Sequence, residues 1–532
     1  MILILKSIKR KFLIILFFFT FNSVNSQVNL DKFDYVVILM MENRSFDNML
    51  GYLYEDGVPL GQTFNGVSGK NLSNPIPPYA DSSEFVDSVY VHKEYNMGNP
   101  NPDPGEEYPH INTQMFGTVI PDTNRFLGVQ QMLPPYNLPN PLPGIYPNNG
   151  IVLDYVNTFR NGAGRFPEYY EYKIIMGCFP PDAVPVISQL ARSFAVCDNW
   201  YCGVPSQTFC NRSFFNAATS NGNVNNAPYP KWVLNDNPTI FNRLQDRGIS
   251  WKVYFDPVDI IPLTLFIHFP SLLIHTTTNF DYYEQFKIDA ANGNLPKYSF
   301  IEPRLFVKHN DEHPPDSVFA NFYTPSNVLA GELLIHDVYM TIRNSNSQTG
   351  NNWKNTLLVI TYDEHGGTFD HVQPPSAVPP DILQPKGEMD FTFDRLGRRV
   401  PAVFVSAYID SNTIYNDTLH HSSMIKTLSM KYQLPHLTQR DLHAPDFLGI
   451  FNRNTIKNSN TWPITKPREM LLDADKEFYL NMPLTSFQKD MIGVAAALEN
   501  LGYPSNVVTA GDAVNYLKGF KQRLKIKFLG DL

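Results

Sequence analysis

The sequence predicts an α/β fold with a mostly parallel central sheet, and three observations carry that prediction. Several short runs are apolar almost without interruption, helical patterns alternate with them, and two of the runs end abruptly in acidic and polar residues. The first run is Phe33–Met41; Asn355–Tyr362 and Val400–Ser406 repeat it. A strand covered on both faces needs no alternation of apolar and polar residues, and parallel strands are usually covered that way. Helical stretches at Gly331–Arg343 and His421–Tyr432 are interleaved with these runs, as expected of a sheet with helices on both faces.

The rest of the chain is placed around that frame. Residues 51–149 are crowded with Pro, Gly, Asn and Tyr and show neither a strand nor a helix period. They read as a loop or lid inserted in a catalytic domain spanning 27–450. Residues 451–532, with helical stretches at Phe487–Leu501 and Ala510–Leu524, read as an extension packed on that domain. The run Ile260–Ile274 is apolar but interrupted by Pro262 and Pro270. It is either an irregular core segment or an apolar lip that holds acyl chains or touches a lipid surface.

At the start, Lys6, Lys9, Arg10 and Lys11 precede the apolar run Phe12–Phe21, and Val24 and Ser26 stand at −3 and −1 of a cut after Ser26. This is the pattern of a signal peptide over residues 1–26; its apolar run falls well short of the ~20 residues that span a bilayer. The expectation is a secreted or periplasmic protein. Losing those four basic residues takes the formal net charge from −9 to −13. Such a chain argues against a nucleic-acid partner, which calls for a basic face. A phosphate handled here has to meet local positive charge, and a bound cation is the economical source. The four cysteines, Cys178, Cys197, Cys202 and Cys210, fall in one stretch. Export permits disulfides among them, with the pairing open, and a zinc site lacks its C-x2-C knuckle.

After Met41 come Glu42-Asn43-Arg44-Ser45-Phe46-Asp47; after Tyr362 come Asp363-Glu364-His365-Gly366-Gly367-Thr368-Phe369-Asp370-His371. Open α/β sheets bind ligands beyond the carboxyl ends of their strands. Glu42, Asn43, Asp363 and Glu364 are therefore candidates for an all-oxygen pocket that suits a hard divalent cation. Such residues also cap helices, but two clusters ending two buried strands favour the pocket. No dinucleotide, P-loop or nucleophile-elbow motif occurs, so no organic cofactor is implied.

Met41–Asp47 and Thr361–Val372 resemble motifs of a phosphoesterase family that contains bacterial phospholipases C, acid phosphatases and plant non-specific phospholipases C. Asn310–Pro315, Gly331-Glu332, Arg399–Pro401 and His421–Ser423 match in the same order, so the resemblance runs from about residue 33 to about 447. It implies an alkaline-phosphatase-like α/β/α sandwich, one divalent metal ion and a hydroxyl nucleophile that forms a phospho-enzyme. Val204–Arg212 resembles the family's Val-Pro-x-x-Thr-x-x-Asn-Arg, which makes Thr208 the nucleophile and a further metal ligand. Ser206 is the alternative nucleophile, and Cys210 stands where a Pro is expected. A Thr hydroxyl needs a base or a metal to attack at neutral pH, and a cation among these ligands supplies that activation. His313, in Asn310–Pro315, and His110, in Glu107–His110, are the candidates to protonate the leaving alkoxide or to bond a phosphate oxygen. His365 and His371 adjoin the carboxylates and suit a supporting place behind them; Asp311, Glu312 and Glu332 are candidate orienting residues. The implied substrate is a phospholipid, cleaved by phospholipase C chemistry; the alternative is a small phosphomonoester, cleaved by an acid phosphatase on the same scaffold.

Overall fold

The computed structural model describes residues 29–532 except 83–85, 316–326, 382, 384–385 and 470–475. The segment read as a signal peptide, 1–26, lies outside the described residues. Eight strands make one sheet: β1 Tyr35–Met41, β2 Ala195–Cys197, β3 Trp251–Phe255, β4 Phe280–Tyr282, β5 Tyr298–Ile301, β6 Thr356–Tyr362, β7 Ala402–Val405 and β8 Thr413–Tyr415. Their spatial order is β8-β2-β7-β6-β1-β5-β3-β4. Every pairing is parallel except the two made by β7, which runs against β6 and β2. Val400–Ser406 was expected as one more parallel strand. Burial on both faces produces the same unbroken apolar run whichever way the strand points, so the pattern carries no direction.

The principal helices are α1 Phe46–Leu50, α2 Tyr108–Phe116, α3 Ile151–Ala163, α4 Pro185–Ser193, α5 Thr208–Ala217, α6 Ile240–Asp246, α7 Leu263–Ile267, α8 Tyr283–Asn292, α9 Val328–Asn344, α10 Ser422–Tyr432, α11 Ser486–Leu498 and α12 Ala510–Arg523. Side chains alternate across a strand, and the ring contacts show which helix covers which face. Phe300 of β5 meets Phe215 of α5 and Phe241 of α6, whereas the neighbouring Tyr254 of β3 meets Phe286 of α8 on the other side. α4 and α9 lie with α8. The result is the expected three-layer α/β/α sandwich, with β1 and β6 central and buried along nearly their whole length.

One region departs from the expectation, and for another the structure decides between the two readings. Residues 51–149 are not uniformly irregular: they contain α2, all nine of whose residues are buried. A helix buried all round has no amphipathic stripe, so periodicity did not find it. For Ile260–Ile274 the structure favours the core reading over most of its length: residues 261–269 and Leu272 are buried, while Leu273 and Ile274 at its end are exposed. Leu265 and Phe266 are fully buried, Phe266 stacks on Phe520 of α12 at 6.0 Å, and α7 packs on α5 and α11. Its prolines cut it into two short helices, α7 and Phe269–Leu272, too short to show a period.

The C-terminal part is tied to the sandwich by α11. Phe487 meets Phe209 of α5 edge-on at 6.3 Å, and Asp490 accepts from Asn226 Nδ2 (2.6 Å) and the Tyr229 hydroxyl (2.9 Å). All four cysteines are buried free thiols. No helix among the described residues is long and apolar enough to cross a membrane.

Candidate active site

The parallel pairing of β1 with β6 sets Met41 directly beside Tyr362, so the two acidic segments leave the sheet side by side. Asp363 N–H donates to Met41 O (3.1 Å) and Glu42 N–H to Asp311 O (2.8 Å). Asn43 turns the chain in the left-handed region, φ 52°, a conformation Asn tolerates, and its N–H donates to Asp363 Oδ1 (3.1 Å). Gly366, at φ +59°, closes against this turn: a Cβ there would lie 2.0 Å from Asn43 O. The pair Gly366-Gly367 is therefore a requirement of close backbone approach.

Thr208 arrives from elsewhere in the chain, as the first residue of α5. Asn211 holds the preceding turn, accepting from Val204 N–H (3.0 Å) and donating to Ser206 O (2.6 Å). The Thr208 hydroxyl lies 3.3 Å from Glu42 Oε2 and 3.4 Å from Asn43 Oδ1. It sits at the positive end of the helix, where backbone N–H groups point outward. Cys210, in the same first turn, replaces the expected Pro at little structural cost, because N–H groups there have no intrahelical acceptor. Ser206 is spent on the Val224 carbonyl.

One helical turn beyond Thr208, on the same face, is Arg212. Its guanidinium donates from Nε to Glu42 Oε1 (2.9 Å) and from Nη2 to the same oxygen, and lies 3.5 Å from Asp363 Oδ2. Glu106, from the loop before α2, accepts from Asn43 Nδ2 and from Gln207 Nε2 (3.2 Å). Neither Arg212 nor Glu106 was assigned a role from the sequence. The spacing of Arg212 four residues after Thr208 carries meaning only once the helix starting at Thr208 is known; Glu106 had no local signal, since only the tertiary fold brings its loop to β1.

Four buried carboxylates, Glu42, Glu106, Asp363 and Glu364, thus share this place with one guanidinium among the described residues that reaches them, that of Arg212. Burial, with Asp363 and Asp311 beside it, pushes Glu42 well above the ordinary carboxylate range although Arg212 opposes the shift. Burial and the charges of Glu106 and Asp363 do the same to Glu364. Asp363 Oδ2 and Glu364 Oε1 are buried and accept no hydrogen bond among the described residues. Buried acceptors are ordinarily satisfied, so this donor set fits a hard cation, and Glu42, Asn43, Thr208, Asp363 and Glu364 are the residues that would hold it.

The histidines separate by environment. His110 Nδ1 lies 2.7 Å from Asp154 Oδ1. Burial alone would lower its pKa, but Asp154 carries it up to about 9. It lines a cleft of 360 Å³ together with Asp103, Glu106 and Gln207. His313 Nδ1 donates to Pro314 O (2.6 Å), leaving Nε2 4.0 Å from Glu106 Oε2. His365 is a supporting residue, 3.3 Å from Glu364 Oε2 and 2.9 Å from Gln114 Oε1. His371 is not at the site: it belongs with Asp47, Asp370 and Arg399. His421 takes its proton on Nε2, because the Trp200 indole donates to Nδ1 (3.2 Å), and so it donates to Asp363 O (2.5 Å). Of the candidate orienting residues, Asp311 holds Glu42 and His309, Glu312 accepts from the Tyr362 hydroxyl (2.5 Å), and Glu332 caps α4 by accepting from Val186 and Ile187 N–H.

Known proteins resemble this chain over most of its length. A non-specific phospholipase C5 of Arabidopsis thaliana is 32% identical, over 87% of this chain and 82% of its own. A phospholipase C B of Mycobacterium tuberculosis is 25% identical over 83% and 81%. A solved structure of an alkaline phosphatase superfamily protein from Vibrio parahaemolyticus aligns with a TM-score of 0.29 and 11% identity, over 64% of this chain and 82% of that one. The description Phosphoesterase family matches residues 33–435, from the start of β1 to beyond α10. This chain belongs to the phosphoesterase family, as a hydrolase acting on phosphate esters.

Proposed function

We propose that the protein is a phospholipase C that cleaves phospholipid to diacylglycerol and a phosphorylated head group, with Thr208 as the nucleophile. The observation that carries this is the Thr208 hydroxyl at the start of α5, buried within 3.3 Å of Glu42 and 3.4 Å of Asn43. The relatives named phospholipases C favour this reading over an acid phosphatase. Glu42, Asn43, Thr208, Asp363 and Glu364 would hold one divalent cation, which when bound would supply the positive charge that favours the threonine alkoxide and polarises a phosphoryl oxygen.

The residues of the chain account for the rest. Arg212 fixes Glu42 through Oε1 and leaves Oε2 facing the Thr208 hydroxyl. The Thr208 hydroxyl gives up its proton to Glu42 Oε2, 3.3 Å away, and Oγ forms a bond to phosphorus as the bond to the glycerol oxygen breaks. His110 is held as an imidazolium by Asp154 and gives the departing alkoxide a proton; His313, whose Nε2 lies 4.0 Å from Glu106 Oε2, is the alternative donor. Water then hydrolyses the phosphothreonine and restores the hydroxyl, so one hard displacement becomes two easier ones. The reading includes export after Ser26, supported by the residues of 1–26 and read out as a mature terminus at Gln27.

Thr208→Ala is expected to lower phosphatidylcholine hydrolysis by ~10⁴-fold or more with Tm unchanged, and wild-type enzyme quenched during turnover is expected to carry phosphate on Thr208 by mass spectrometry. Phosphate on Ser206 or on a histidine would remove Thr208 from its role.

A further inference from the structure

Most of Ile260–Ile274 is buried and only Leu273 and Ile274 of its large apolar side chains are exposed, so a broader apolar surface for a phospholipid layer is sought beside the cleft. The cleft beside Glu106, His110 and Gln207 is bordered by Gly128-Val129 on one side and by Phe159, Asn161 and Gly162 of α3 on the other. Next to those borders are three large apolar side chains in water: Phe126 is 53%, Leu133 51% and Phe166 41% exposed. They are held in one place. The Arg160 guanidinium lies 4.5 Å over the Phe126 ring and 5.4 Å over Phe166, and Phe166 is 5.5 Å from Tyr79, which carries Arg125 at 4.6 Å. The Asn124 side chain brackets Leu133, accepting from its N–H (2.8 Å) and donating to its carbonyl (2.9 Å).

Arg125 is paired with Asp122. Arg160 makes no ion pair among the described residues; its side chain donates to Asn161 Oδ1 (3.3 Å). A guanidinium laid on phenyl rings, on a chain whose net charge is −9, offers a phosphate oxygen a donor while the rings remain available to an apolar layer. Amphipathic side chains of this kind settle at the boundary between head groups and acyl chains.

We propose that the rim formed by Phe126, Leu133, Arg160 and Phe166 is the face that the enzyme lays on a phospholipid bilayer. The rings enter the boundary layer, Arg160 engages lipid phosphates, and the mouth of the cleft is brought to the surface that supplies the substrate. This rests on the phospholipase C reading and adds to it the place and chemistry of membrane contact.

The test uses the full chain with Phe126→Ser and Phe166→Ser combined, and separately Arg160→Gln, each checked for an unchanged Tm. Sedimentation with phosphatidylcholine vesicles is expected to show binding weakened on the order of tenfold for the double variant, and vesicle hydrolysis should fall in step. Hydrolysis of dihexanoylphosphatidylcholine below its micelle concentration should stay within about twofold of wild type, because a monomeric lipid needs no docking face. Undiminished vesicle binding, or equal losses on vesicle and monomer, would overturn the proposal. Failure of the wild type on the monomeric lipid as well would instead overturn the phospholipase C reading beneath it.

Discussion

Two acid clusters are built from the same two segments, 42–47 and 363–371, and they differ in how their charge is closed. Asp47 and Asp370 clasp Arg399, at 2.8 Å and 3.0 Å; His371 Nδ1 lies 2.5 Å from Asp47, and Lys70 Nζ is 2.6 Å from His371 Nε2. Burial pulls both carboxyls upward; in Asp47 Arg399 and His371 more than offset it, whereas Asp370 stays above its ordinary range. A few residues away, Glu42, Glu106, Asp363 and Glu364 share Arg212, Glu42 and Glu364 are both pushed up, and there Asp363 Oδ2 and Glu364 Oε1 have no hydrogen-bond donor among the described residues. The first cluster is complete as a structural clasp between the two strand-end loops. The second is complete only with more positive charge, and that difference separates a site from a brace when residue types alone do not.

The largest effect that tests the contrast is loss of metal. Asp363→Asn or Glu364→Gln should lower divalent metal content, measured on the purified protein by plasma mass spectrometry, by ~10-fold or more, and activity with it. The metal-free variant should be no less stable than metal-free wild type, since a like charge has been removed. Full metal occupancy with lost activity would demote that residue to a support. Arg399→Ala should do the reverse: metal content per folded molecule holds, while denaturant unfolding shows a loss of about 3–5 kcal/mol from leaving buried Asp370 without its ion pair and Asp47 with His371 alone. A change smaller than ~1 kcal/mol would mean that water or Lys70 takes over the clasp.

The smallest effect belongs to a third closed pair, His110 with Asp154. The folded pKa of His110, about 9, lies above its ordinary value. Its stabilisation is therefore present in full below about pH 6.5 and is lost as pH rises through about 9. His110→Gln should flatten the fall of Tm over that window; an unchanged slope would show that Asp154 does not hold the imidazolium.

Much of this was readable before the structure. β1 and β6 were legible because burial on both faces writes an unbroken apolar run, and the carboxylates at their ends followed from strand polarity. The direction of β7 was not, since the same run serves either direction. α2 was hidden by being buried all round, and α7 by the prolines that shorten it. At the site, Thr208 and its metal partners came from motif and resemblance. Glu106 was invisible because its contact with Asn43 spans separate loops, and the role of Arg212 required knowing that α5 points its first turn at β1.

The alignment of Met41 with Tyr362 also constrains how such a protein can change over generations. A one-residue insertion or deletion inside β1 or β6 would carry Glu42 or Asp363 about 3.3 Å along the strand and turn it to the opposite face. Point substitutions in these strands are therefore absorbed more readily than length changes, which would take a carboxylate out of the site.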